Sequence, residues 1–168
     1  MPPLRAFDIF RTLGRHGVEC VVIGGYAMAA HGYIRGTKDV DIYPEPSRDN
    51  LQRLMAALEE MEATVGGLED FERREVPVAL DVDGLALGGN WILSTKFGRL
   101  DVMQYIRVLE NYEPLRDAAF RPQIPGLAAE DTPLFSGYDD LIAMKRDAGR
   151  DLDRVDIAEL ERARAGRD

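Results

Sequence analysis

Residues 24–41 of this chain read GGYAMAAHGYIRGTKDVD. The stretch directly follows the apolar run Cys20-Val21-Val22-Ile23, which is typical of a buried strand. Two glycines then end the strand, and the alanine-rich residues 26–30 favour a short helix. Backbone N–H groups at such a strand-glycine-helix turn bind phosphate well. The first half of the stretch therefore predicts a phosphate-binding turn at Gly24 and Gly25.

The second half ends in Asp39-Val40-Asp41, where acidic and apolar residues alternate. In a strand, alternate side chains project to one face, so both carboxylates point the same way. Two carboxylates so close together repel each other unless a cation lies between them. Hard oxygen ligands beside a phosphate turn suit Mg²⁺. The pattern indicates a site for a metal-bound nucleotide, and the competing interpretation is a solvated edge strand.

A third carboxylate on a neighbouring strand would allow two metal ions to be held. Residues 91–95 and 99–105 predict two strands joined by Lys96-Phe97-Gly98. Asp101 lies in the second of them, with Leu100 and Val102 on the opposite face, and is the candidate. An ordinary acid on a strand surface is the alternative.

Composition sets the limits on this interpretation. The chain has 168 residues, 45% of them hydrophobic, and a net charge of −9, which favours one globular domain and disfavours broad non-specific binding to nucleic acid. Residues 49–92 carry ten acidic and three basic side chains, whereas residues 1–48 are close to neutral. No apolar run approaches the ~20 residues that cross a bilayer, so we expect a cytoplasmic protein without a membrane contact. The single Cys20 is expected in the core.

The remaining pattern predicts further helices beside these strands. Ser47 is expected to cap a helix with an apolar stripe from Leu51 to Met61. Four prolines between 114 and 133 predict an irregular connection. Residues 136–139 fit a capping box that opens a helix through Ala148, and a second helix runs from about Asp151 to Ala163. We expect one domain over 1–168, with a sheet core at 1–135 and a helical extension at 136–168.

These motifs, in this order, resemble the DNA polymerase beta-like nucleotidyltransferase superfamily. The resemblance rests on Gly24-Gly25, the Arg-x-Thr-x-Asp-x-Asp pattern at 35–41, Gly-Arg-Leu-Asp at 98–101 and a lysine-bearing C-terminal helix. Within the superfamily, the chain is most similar to the minimal, toxin-like branch that includes abortive-infection nucleotidyltransferases. Many members carry Gly-Ser where this chain has Gly24-Gly25.

The resemblance implies an α/β (α+β) fold, a small mixed β-sheet with helices packed on it, and roles for individual residues. It assigns the metal to Asp39, Asp41 and Asp101, with Asp101 as general base or second-metal ligand. It assigns the nucleotide phosphates to Gly24, Gly25, Arg35, Thr37 and Lys145. Asp153 and Asp156 match acidic positions of the toxin-like branch and have no assigned role. For Lys145, the alternative is a solvated helix face.

The implied activity is Mg²⁺-dependent transfer of a nucleoside monophosphate from an NTP such as ATP to a hydroxyl-type acceptor, with release of pyrophosphate. The acceptor is an RNA or tRNA end, a protein side chain or a small molecule, and a cognate antitoxin is a possible partner if the protein is a toxin. Two alternatives stay open: a catalytically silent interaction module and a nucleotide-sensing domain.

Several chemistry-bearing residues have structural interpretations instead. Asp81-Val82-Asp83 repeats the Asp-x-Asp spacing, but no glycine turn precedes it, so a solvated loop is predicted. His16 and His31 lie at predicted helix ends, where a histidine can bond a carbonyl. With no second ligand at suitable spacing, a zinc site is not expected.

Overall fold

The computed structural model describes residues 2–66 and 78–166, which form a mixed sheet and seven α-helices. The strands are β1 (Cys20–Ile23), β2 (Asp39–Pro44), β3 (Thr64–Val65), β4 (Asn90–Thr95), β5 (Gly98–Met103) and β6 (Leu134–Phe135). The helices are α1 (Ala6–Arg15), α2 (Gly24–Ala30), α3 (Arg48–Glu60), α4 (Val82–Ala86), α5 (Tyr112–Ala118), α6 (Tyr138–Ala148) and α7 (Asp151–Ala165). A 3₁₀ turn covers Ala129–Asp131.

The strand order across the sheet is β3-β4-β5-β2-β1-β6. β2 runs antiparallel to β1 and parallel to β5, and β4 and β5 form the antiparallel hairpin predicted from the sequence. The register pairs Asp41 with Asp101 across β2 and β5. The central strands therefore bring two distant parts of the sequence side by side.

One face of the sheet carries the main hydrophobic core. Val22, Ile42, Leu100 and Val102 point to this face and pack with Phe10 of α1, all of them fully buried. Helices α3, α6 and α7 contribute further side chains to the same cluster, among them Leu54, Leu58, Leu141, Ile142 and Leu160. Because side chains alternate along a strand, the acidic residues of β2 and β5 lie on the other face.

A smaller apolar cluster covers part of that other face. Val21, Ile23 and Tyr43 pack there against Tyr112 and Leu115 of α5. The Tyr43 and Tyr112 rings are stacked with their centroids 6.4 Å apart. Helix α5 thus closes the β1 side of the face and leaves the polar residues of β2 and β5 beside it.

The expected irregular connection over 114–133 is wrong at its beginning. Residues 112–118 form helix α5, with Pro114 in its first turn, where a missing N–H breaks no helical bond. Immediately after the connection, Leu134–Phe135 adds a short strand parallel to β1. Proline in a first helical turn does not stop a helix, which is why counting prolines misled the prediction.

The two predicted helix caps have different outcomes. Ser47 caps α3 by accepting a hydrogen bond from the Asn50 N–H, as expected. The capping box at 136–139 is wrong: α6 starts at Tyr138 after Gly137, without a side-chain cap. The Ser136 backbone N–H instead donates to the Val22 carbonyl, which ties this segment to the sheet.

Over the described residues, no helix combines the length and apolar character needed to cross a membrane.

The core under the acidic face makes a stability prediction. Leu100 is 0% exposed and lies between Arg99 and Asp101, whereas Leu87 is 76% exposed. We expect Leu100→Ala to lower the free energy of unfolding by about 2–5 kcal/mol, because it leaves a cavity in the core. The matched Leu87→Ala should change it by less than about 0.5 kcal/mol. Urea unfolding measures both, and equal effects would contradict the assigned burial.

Candidate active site

Three carboxylates converge at the centre of the sheet. Asp39 and Asp41 come from β2 and Asp101 from β5, and one oxygen of each lies within 4.8 Å of the others. Asp101 is 6% exposed, and the other two are partly buried. Among the described residues no histidine or cysteine joins this group. A donor set of carboxylate oxygens alone fits a hard cation such as Mg²⁺ and does not favour zinc.

The close approach of Gly24 to Asp41 shapes the site. Gly24 directly follows β1 as the first residue of α2, with φ of +64°, and a Cβ at this position would lie 2.1 Å from Asp41 Oδ2. Only glycine tolerates both the left-handed backbone and the contact. The glycine turn is therefore packed directly on one of the carboxylates, at the edge where the sequence predicted a phosphate turn.

Gly25 and Thr37 meet on the other side of the same turn. A Cβ on Gly25 would lie 2.7 Å from Thr37 Oγ1. The Thr37 hydroxyl donates to Asp39 Oδ1 at 3.0 Å, and the Asp39 carbonyl oxygen lies 3.3 Å from the same hydroxyl. Thr37 thereby orients the Asp39 carboxylate, so the structure joins three of the sequence-predicted residues in one contact chain.

Burial and like charges act together on Asp41. Burial is the main cause that raises its pKa to about 7, and the nearby Asp39 and Asp101 raise it further, while Lys145 and Arg99 oppose the shift. A carboxylate held this way keeps a proton far above its ordinary range unless a cation stabilises the charged form. The site is thus suited to a ligand that brings positive charge.

Arg99 is the residue of the site that the sequence interpretation missed. Its Nε donates to Asp101 Oδ1 at 2.8 Å and its terminal nitrogen donates to Asp101 Oδ2 at 2.6 Å. The same guanidinium lies 3.7 Å from Asp39 Oδ2. Arg99 and Asp101 are two residues apart on β5, so the alternation that placed Asp101 on this face also places Arg99 there, and that signal could have found it.

Lys145 forms a buried ionic cluster with the two unassigned acids. It is 7% exposed, so the expected alternative of a solvated helix face is wrong. Its Nζ donates to Asp153 Oδ1 at 3.1 Å and to Asp156 Oδ2 at 2.9 Å. Burial opposes the ionisation of Asp153, but hydrogen bonds from Arg150 and Lys145 outweigh it and lower its pKa to about 2. The C-terminal helix pair therefore holds a lysine whose charge also acts on Asp41.

Arg35 joins this cluster from the loop before β2. Its Nε and a terminal nitrogen donate to the two oxygens of Asp156 at 2.8 and 3.0 Å. Asp156 is 0% exposed and therefore links Arg35 to Lys145 through one buried carboxylate. Because Arg35 is two residues before Thr37, this bond fixes the loop that orients Asp39.

The remaining candidates lie outside the carboxylate group. Asp81 caps α4 by accepting from the Gly84 N–H, so the predicted loop is a short helix, although both acids of this pair are exposed as expected. His31 Nε2 lies 2.8 Å from the Ser136 carbonyl oxygen, and its ring packs against Phe120 and Tyr138. His16 contacts Glu60 at the end of α1. Cys20 is buried, as expected.

Comparisons with known proteins bear on the fold. No protein-family model matches this chain, and no curated protein matches it. The solution structure of the antibiotic-resistance factor ANT(2'')-Ia is similar, with a TM-score of 0.53 and 15% sequence identity. The match covers 93% of this chain and 78% of that chain. At this identity the similarity concerns the fold alone, and it confirms the predicted α/β fold with a small mixed sheet.

Gly24 provides a test of the local geometry. Gly88 also has a left-handed backbone, with φ of +77°, but a Cβ there would meet nothing within 4 Å. We expect Gly88→Ala to cost about 1–2 kcal/mol of unfolding free energy from backbone strain alone. Gly24→Ala should cost more, because it adds the clash with Asp41. Chemical denaturation of both variants checks this, and an equal loss would show that Gly24 does not touch the carboxylate.

Asp41 provides a test of the electrostatics. Between its ordinary pKa of 3.8 and about 7, the folded protein holds a proton that the unfolded chain releases. This group therefore lowers stability as pH rises through that window. Without metal, Asp41→Asn should gain stability relative to wild type between pH 5 and pH 8, on the order of 1–4 kcal/mol.

Urea unfolding in the presence of a chelator, at both pH values, measures that difference. Asp83→Asn is the matched control, since it removes an exposed acid of the other Asp-x-Asp pair. A stability difference between Asp41→Asn and wild type that stays constant with pH would contradict the raised pKa.

Proposed function

We propose that this protein is a metal-dependent nucleotidyltransferase. It transfers a nucleoside monophosphate from an NTP to a hydroxyl acceptor and releases pyrophosphate. The observation that carries the proposal is the group of three carboxylates on one sheet face, packed against a glycine turn. Carboxylates that lie this close together repel each other and destabilise the protein unless a bound ligand offsets their charge.

The metal in this proposal is Mg²⁺, which Asp39 and Asp41 would hold with Asp101 beside them. Mg²⁺ binds through a few carboxylates together with substrate phosphates, so it supplies both nucleotide affinity and charge stabilisation. The raised pKa of Asp41 supports this assignment, because a divalent cation is the natural partner that keeps such a group ionised.

The nucleotide phosphates extend, in this proposal, from the carboxylates toward the glycine turn and α6. Gly24 brings the backbone of the turn against Asp41, and the positive charge of Lys145 acts on the same carboxyl group. Thr37 and Arg35 hold the Asp39 loop through contacts with Asp39 and Asp156. These contacts support a role for Thr37 and Arg35 in positioning the loop. The phosphate contact that the resemblance implies for them stays a prediction.

The transfer step is a substitution at phosphorus. The acceptor hydroxyl oxygen forms a bond to the α-phosphorus, and the bond between that phosphorus and the bridging oxygen of pyrophosphate breaks. The hydroxyl proton passes to a carboxylate of the site, for which Asp101 is the proposed base. Lys145 and the metal stabilise the charge that develops on the phosphate oxygens.

The acceptor we favour is a small hydroxyl compound that carries positive charge. A net charge of −9 attracts cationic molecules and opposes a long RNA footprint. The antibiotic-resistance role of the structurally similar ANT(2'')-Ia agrees with a small-molecule acceptor. The alternative acceptors are an RNA end and a protein side chain, and the transfer assay described next distinguishes them. Either of these acceptors would favour a toxin role with a cognate antitoxin.

A transfer assay tests the proposal. The chain is incubated with each α-labelled NTP, Mg²⁺ and three acceptor pools: cationic hydroxyl compounds, total RNA and cellular protein. We expect label in one pool with release of pyrophosphate, and a loss of roughly 100-fold or more in Asp39→Asn, Asp41→Asn and Asp101→Asn, because each removes several kcal/mol of metal-mediated stabilisation.

Asp81→Asn and Asp83→Asn are the matched controls, since this pair has the same spacing but lies outside the site. They should retain full transfer. Nucleotide binding without transfer to any pool would favour the nucleotide-sensing alternative. No metal-dependent nucleotide binding at all would leave only the silent interaction module.

A further inference from the structure

We propose that the Arg99 guanidinium takes the place of a second metal ion at Asp101, so that the site binds one divalent cation and not two. This inference rests on the proposed function, and it replaces the two-metal arrangement expected from the sequence with a metal and an arginine. The one metal ion lies between Asp39 and Asp41, and Arg99 provides the second positive charge.

The first support is the way Arg99 engages Asp101. Both oxygens of this carboxylate accept hydrogen bonds from the guanidinium, at 2.8 and 2.6 Å. A two-point contact of this kind is among the strongest that a carboxylate makes in a protein. A metal ion at Asp101 would have to displace at least one of these bonds to reach a lone pair.

The second support is that Arg99 is fixed by the sheet. Its backbone is paired with Asp39 on β2, and Asp101 is paired with Asp41, so the four residues form a block across two parallel strands. The guanidinium lies between Asp101 and Asp39, 3.7 Å from the nearer Asp39 oxygen. Such a position between two carboxylates is the one that a bridging cation would occupy.

The third support is the charge balance. Three carboxylates are neutralised by one guanidinium and one divalent cation, since arginine stays charged at every physiological pH. A second divalent cation would leave an excess of positive charge before substrate binds, and it would lie next to the guanidinium, whose like charge repels it. Asp39 and Asp41 keep oxygens that Arg99 does not bind.

The consequence for the reaction is a division of roles among the carboxylates. Asp39 and Asp41 would hold the metal that binds the phosphates, while Arg99 orients Asp101. Arg99 is then a positioning residue for Asp101, and its charge is present whether or not metal is bound.

Counting bound metal ions tests this inference without relying on activity. Mn²⁺ alone is titrated into the chelator-treated chain and followed by calorimetry and by the loss of its free-ion electron paramagnetic resonance signal. We expect one Mn²⁺ per chain in wild type and two in Arg99→Met. In the double variant Arg99→Met with Asp101→Asn the number should return to one.

Two further variants complete the test. Arg107→Met removes another guanidinium bound to an aspartate, Asp147, away from the carboxylate group, and should bind one Mn²⁺. Arg99→Gln keeps a polar side chain but removes the charge. It takes the place of Arg99→Met in the test if the methionine variant does not fold, and it should also bind two Mn²⁺ ions.

Each outcome separates the inference from the proposed function. Two Mn²⁺ ions in wild type, or one in wild type and still one in Arg99→Met and Arg99→Gln, would overturn the role of Arg99 while leaving the metal site intact. No Mn²⁺ binding in any variant would overturn both the inference and the metal-dependent function.

Discussion

Repulsion among Asp39, Asp41 and Asp101 is the constraint to which the rest of the site responds. The sheet register places Asp41 beside Asp101, and strand alternation adds Asp39 to the same face. The buried layer beneath, which includes Val40, Ile42, Leu100 and Val102, fixes the two strands so that the carboxylates cannot move apart. The cost appears in the pKa of Asp41, raised to about 7.

The neighbouring residues offset that repulsion from three directions. Arg99 lies between Asp39 and Asp101, Lys145 acts on Asp41 from helix α6, and the Thr37 hydroxyl donates to Asp39. Lys145 is itself held by Asp153 and Asp156. These two buried acids of the last helix therefore orient a cation whose charge acts on Asp41.

Asp156 also couples the C-terminal helices to the loop before β2. It binds Arg35 and Lys145 at once, so helix α7, helix α6 and the segment that carries Thr37 share one buried carboxylate. Removing Asp156 would take one carboxylate partner from Arg35 and from Lys145 at the same time. The helical extension is therefore part of the geometry of the candidate site.

Much of this could be predicted from sequence, and the limits have physical causes. Asp39, Asp41 and Asp101 were predictable because strand alternation is a local property, and a glycine turn marks the edge of the sheet. Arg99 obeys the same alternation but was missed, because its importance comes from a contact that needs the side-chain geometry. Asp156, the shared partner of Arg35 and Lys145, is 121 residues from the first and 11 residues from the second. Only the folded chain shows that the three side chains meet.

The central claim is that these carboxylates hold a catalytic divalent cation, and anomalous diffraction tests it most directly. Crystals of the chain are soaked with Mn²⁺ and a non-hydrolysable NTP analogue, and data are collected at the manganese absorption edge. We expect an anomalous peak within coordination distance of Asp39 and Asp41, with the triphosphate beside it and Arg99 still bound to Asp101. A nucleotide bound elsewhere would contradict the proposed site. So would the absence of an anomalous peak at Asp39 and Asp41 when the soak contains a saturating concentration of Mn²⁺.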